Sequence, residues 1–133
     1  MSDWLPRAIA VASGGALGAL CRWGLSMWLL RVTFPSPFPW PTFLINVTGA
    51  FALGVMTGAV TLGGWALAPI TRLLFAVGFL GAFTTFSTFA WEIVALGRAD
   101  EPRLALLYVT ASLLVGVIAC WVGFVIGGRT WIG

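Results

Sequence analysis

The segment Gly78-Phe79-Leu80-Gly81-Ala82-Phe83-Thr84-Thr85-Phe86-Ser87-Thr88-Phe89 carries the residue types closest to chemistry in this chain. Thr84, Thr85, Ser87 and Thr88 put four hydroxyls into five positions behind two glycines, inside an otherwise apolar run. That pattern predicts a helix that breaks and restarts near the middle of a membrane span, since irregular backbone at that depth is tolerated only inside protein or beside a water-filled path. Carbonyls released around Gly81 and Thr84 suit a small hard cation, whereas amides at the restarting N-terminus suit an anion. Phe86 and Phe89 stand at i and i+3 on one helical face. Phenyl edges are positive, so rings lining a narrow pore can hold an anion and still release it, as conduction requires.

Other polar groups extend the candidate path. Asn46 lies one turn into the second apolar segment, where its amide donates to an anion or bonds across helices. Tyr108 and Ser112 are i and i+4 on the fourth segment, and Gly116 continues that face without a hydroxyl. Thr42 and Thr48 are less specific. Thr85, Phe89 and Glu92 follow the i, i+4, i+7 progression. Arg22 and Glu92 are the intramembrane charges, expensive enough to be functional or structural by default. They can pair with each other; alternatively Arg22 snorkels toward a vestibule, and Glu92 is protonated, paired or turned away from the pore.

The rest of the chain must position these groups. Of 133 residues, 60% are hydrophobic and 8% charged, with a mean hydropathy of +1.03, which marks a membrane protein and not a soluble domain. A span needs roughly 20 apolar residues, so four spans fill the chain as a single transmembrane domain, residues 1–133, and leave no room for a soluble catalytic one. The sequence has no His and no Lys, and its two cysteines, Cys21 and Cys120, lie far apart in apolar runs. Metalloenzyme, Ser-His-Asp and Walker-type chemistry are thereby excluded, and no enzyme is expected. Its seven arginines are scattered and form no basic stripe, so nucleic acid is discarded despite a net charge of +3.

The expected spans run over about 7–30, 42–62, 69–96 and 102–127, with the proline-rich 35–41 as a loop. The first reads as a transmembrane helix and not a cleaved signal. Prolines at the starts and glycines at the ends punctuate them. Trp4, Trp28, Trp40, Trp65 and Trp131 fall near the expected interfaces. Gly14 and Gly18, Gly54 and Gly58, and Gly123 and Gly127 have the i, i+4 spacing of close helix contacts, ordinary intrachain packing being the favoured use. Four spans place Arg7, Arg72 and Arg129 on one side and Arg31, Arg98 and Arg103 on the other, so the positive-inside rule chooses neither orientation. Such a chain can insert both ways and pair as an antiparallel homodimer, the alternative being that span hydrophobicity compensates for the weak charge bias.

Across these motifs the chain resembles the CrcB/Fluc family of small fluoride channels. The resemblance rests on Gly14-Gly15-Ala16-Leu17-Gly18-Ala19 followed by Arg22, on Asn46-Val47-Thr48-Gly49-Ala50-Phe51, and above all on Thr84-Thr85-Phe86-Ser87-Thr88-Phe89. It implies an all-α membrane fold of four helices, an antiparallel dual-topology homodimer with two fluoride pores, a structural Na⁺ at the dimer centre, and export of toxic fluoride across the bacterial inner membrane. Carried over by position, Phe86 and Phe89 resemble the pore phenylalanines, Asn46 the pore asparagine, Tyr108 and Ser112 the pore-side hydroxyls, and Gly81 and Thr84 the residues whose carbonyls hold Na⁺. Where some relatives have a second serine, this chain has Gly116, which leaves the hydroxyl track incomplete or filled by water.

Two other classes compete. A small proton-coupled cation or drug antiporter is also four-span, but it needs an acid inside the first span, and none stands there. A membrane assembly subunit would explain the helix-packing glycines and leave the hydroxyl–phenylalanine cluster without a purpose.

Overall fold

A computed structural model of the chain describes residues 4–129, so Asp3 and Trp131 lie outside the described residues. Among those described, all regular structure is helical: α1 (Trp4–Thr33), α2 (Trp40–Thr61), α3 (Pro69–Arg72), a π-helical stretch (Leu73–Leu80), α4 (Gly81–Phe83), α5 (Phe86–Arg98) and α6 (Pro102–Arg129). The segments from Pro69 to Arg98 act as one span. With α1, α2 and α6 they make four helices long and apolar enough to cross a membrane. The chain is a multi-pass membrane protein. The first, third and fourth spans end a few residues beyond the apolar runs and α2 ends within its own; α2 starts at Trp40 because Pro41 fits a first helical turn, where its missing N–H costs nothing.

Helices in lipid gain little from hiding apolar side chains from their surroundings, so close backbone packing holds them together. The glycine pairs supply it within one chain. A Cβ at Gly54 or Gly58 would strike the α6 backbone at Cys120 and Phe124, and one at Gly123 or Gly127 would strike the α2 backbone at Phe51 and Val55. The two helices therefore interlock reciprocally. Gly14 and Gly18 seat α1 in the same way against the backbone of Leu74 and Phe79, while Gly78 faces Val11 from the π-helical side. Large apolar side chains such as Leu20, Leu113 and Val117 point outward, where lipid is their natural solvent. The largest fully buried side chains are Tyr108 and Ile45, and Phe38, Phe43, Phe89 and Ile93 pack around the cluster that Tyr108 centres.

Candidate functional site

Helical winding stops at Phe83. Thr84 (φ −81°, ψ 160°) and Thr85 (φ −149°, ψ 119°) are extended, and α5 begins at Phe86. An interruption strands backbone groups that water cannot reach inside a membrane, so each needs a partner. Asn46 of α2 supplies two: its Oδ1 accepts from the Thr85 N–H at 2.9 Å, and its Nδ2 donates to the Thr85 carbonyl at 3.1 Å. One carboxamide thus replaces a neighbouring peptide group. The Thr85 hydroxyl caps the new helix, accepting from the Thr88 N–H at 3.2 Å and donating to the Thr88 hydroxyl at 3.0 Å, with Ser87 Oγ at 3.4 Å.

These bonds divert two amides from the carbonyls a continuous helix would give them. The Thr85 N–H, which would have gone to the Gly81 carbonyl, goes to Asn46, and the Thr88 N–H, which would have gone to Thr84, goes to the Thr85 hydroxyl. The Thr84 N–H and hydroxyl both turn back to the Leu80 carbonyl at 3.0 Å. Gly49 makes room for the Thr84 side chain, since a Cβ there would collide with its methyl.

A cavity of about 390 Å³ lies against the interruption, its walls including Asn46, Gly81, Thr84, Thr85, Phe86 and Phe89. Phe86 and Phe89 meet with ring centroids 6.0 Å apart and planes tilted by 47°. Phe86 is 80% exposed, so the single chain leaves this side of the cavity open. Of the other sequence-predicted residues, Ser87 and Thr88 spend their polar groups on the cap.

Glu92 forms a second centre. Its Oε1 accepts from the Thr42 hydroxyl and its Oε2 from the Tyr108 hydroxyl, each at 2.7 Å. Pairing of Arg22 with Glu92, one of the sequence expectations, does not occur: two hydroxyls brought in by α2 and α6 occupy the carboxylate instead. Arg22 is half-buried on α1. Tyr108 is held edge-on by Phe38 at 5.3 Å and Phe89 at 5.1 Å, so Phe89 touches both centres. One turn further along α6, the Ser112 hydroxyl is buried with no hydrogen-bond partner among the described residues. Thr42 is the hydrogen-bonding neighbour that the sequence does not single out, because nothing local marks a contact to a residue 50 positions away.

Residues 9–124 match the family model described as CrcB-like protein, Camphor Resistance (CrcB). The chain belongs to this family. Among its curated relatives, a Symbiobacterium thermophilum protein named fluoride-specific ion channel FluC 2 is 50% identical over 113 residues, covering 85% of this chain and 90% of the relative. A Thermus thermophilus fluoride-specific ion channel FluC is 43% identical over 122 residues, covering 92% and 94%. The Acidobacterium capsulatum protein of that name is 42% identical over 119 residues, covering 90% and 94%. CrcB membership therefore extends over both centres, from Asn46 and Thr85 to Glu92 and Tyr108.

Proposed function

We propose that this chain is a fluoride-selective channel that lets cytoplasmic fluoride leave a bacterium passively across its inner membrane, giving fluoride resistance. The observation that carries the reading is the cavity at Thr84 and Thr85, lined by Asn46, Phe86 and Phe89, in a chain whose close relatives are named fluoride-specific channels. Fluoride gives up its water only to equally good donors. An Asn carboxamide has two N–H groups, and Asn46 gives one to Thr85, so the other is free to meet an anion. Ring edges of Phe86 and Phe89 add weak positive potential without a fixed charge, and the unpartnered Ser112 hydroxyl is a further donor beyond Tyr108. Thr85, Ser87 and Thr88 act in this scheme by holding the restarted helix in place.

The reading includes an antiparallel homodimer with two pores. A second copy covering exposed Phe86 would close each cavity. It also includes a central Na⁺, which the Gly81 and Thr84 carbonyls fit because the amides that would have bonded them are diverted; bound there, the ion would fix the interruption electrostatically. The antiporter alternative lacks its proton carrier, since α1 holds no acid among the described residues and Glu92 is already held by two hydroxyls.

The test is fluoride efflux from liposomes containing purified protein, followed with a fluoride electrode beside a chloride trace. Rapid fluoride efflux with little chloride, lost in Phe86→Ile, is expected. A folded sample that passes no fluoride overturns the proposal.

A further inference from the structure

Arg7 on α1 and Arg72 on α3 line one cavity of about 350 Å³ with Pro69, Leu73, Ala76 and Val77. Both guanidiniums are exposed, and among the described residues neither has a hydrogen-bond or ion-pair partner. Arginine stays charged under all physiological conditions. The acids among the described residues stand elsewhere: Asp100 and Glu101 connect α5 to α6 at the opposite end of the third span, and Glu92 is engaged by Thr42 and Tyr108. Among the described residues, therefore, no acid faces Arg7 and Arg72 across this cavity.

The cavity shares a wall with the inner one. Ala76 forms part of its wall and part of the wall of the Asn46–Thr84 cavity. Arg72, Ala76, Leu80 and Thr84 follow one another four residues apart, the first two lining the arginine cavity and the last three the inner one. We infer that the Arg7–Arg72 cavity gathers small inorganic anions at one membrane surface and passes them along Ala76 into the cavity beside Thr84 and Phe86. Clefts lined by one sign of charge concentrate counter-ions and raise their arrival rate. Attraction from a distance also spares the narrow part of the path a cationic side chain in direct contact with the anion, which would slow its exit. That the delivered anion goes on to permeate rests on the fluoride reading above.

The local potential can be read without any conduction. In a Cys21→Ala/Cys120→Ala background, Ala76→Cys places a thiol at the junction, and its reaction rates with an anionic and a cationic methanethiosulfonate are compared at low ionic strength. We expect the anionic-to-cationic rate ratio to exceed that of a free thiol on the order of tenfold. It should collapse when Arg7→Gln and Arg72→Gln are added, or when high salt screens the charges. In liposomes of neutral lipid, the Arg7→Gln/Arg72→Gln variant of the otherwise native chain should lose fluoride flux several-fold at low ionic strength and match the native protein at high salt. A ratio equal to that of a free thiol overturns the inference. So does a shifted ratio with unchanged flux, or a ratio that is lost only when anionic phospholipid is added, which would give the arginines to a lipid headgroup. Absence of fluoride flux in the native protein would instead sink the function, while the reactivity ratio still decides whether the cavity collects anions.

Discussion

At the scale of single residues, two side chains do opposite kinds of work on buried polar groups. Asn46 satisfies backbone that the interruption would otherwise orphan, and Glu92 is itself satisfied by Thr42 and Tyr108. Removing one donor from the half-buried Glu92 carboxyl leaves an oxygen without its bond, which costs about 1 kcal/mol. Tyr108→Phe keeps the ring edges against Phe38 and Phe89 and deletes only the O–H, so its melting temperature in detergent should drop by that equivalent. Thr42→Val should act on the same carboxylate, and the double variant should depart from additivity because both donors serve one acceptor. An unchanged melting temperature in Tyr108→Phe would mean that the 2.7 Å bond contributes nothing. Asn46 was readable from the sequence as an intramembrane amide with two possible uses, and the structure shows it bonded across helices. Its partner across the helices could not be read, because that depends on where Thr85 turns its N–H, a property of a residue 39 positions away.

At the scale of elements, the spans were legible because an apolar run long enough to cross lipid has few alternatives to a helix, and because Pro69 and Pro102 mark helix starts. The π-helical winding of Leu73–Leu80 was not legible. Its residues are apolar all round, so no polar position betrays a change of period, and its neighbour is α1, whose Gly14 and Gly18 accept the widened backbone directly. The glycines of α2 and α6 divide by the same criterion. Gly58 abuts the Phe124 backbone, whereas Gly116 has nothing within 4 Å of a Cβ. Gly58→Leu should therefore separate α2 from α6 and abolish the monodisperse peak in size-exclusion chromatography, as overpacking against backbone cannot relax by a rotamer change. Gly116→Leu on the same bundle should elute as the native protein does. Equal behaviour of the two would remove the interlocked α2–α6 seam as the organiser of the fold.

At the scale of the whole molecule, charge and shape both bear on the proposed second copy. Phe86 is 80% exposed beside a cavity that one chain leaves open, and the arginines flanking the spans number three on each side. The bias of Lys and Arg between short loops is the main determinant of orientation, and a balanced count exerts no such bias, which is what the proposed dual insertion needs. In the proposed antiparallel pair that indifference becomes necessary, because the two halves of one channel must insert oppositely. Adding Ala66→Arg and Ala68→Arg to the connection before α3 makes the count five against three in one direction. Ala99→Arg and Glu101→Arg between α5 and α6 make it five against three in the other. Each variant expressed alone should insert uniformly and lose fluoride efflux, since it supplies only one half of the pair. Expressed together they should restore efflux, because the first variant inserts in one orientation and the second in its opposite. If either variant alone keeps native efflux while reporter tags at its termini show a single orientation, the pairs are parallel and the role given to the balanced arginines is wrong.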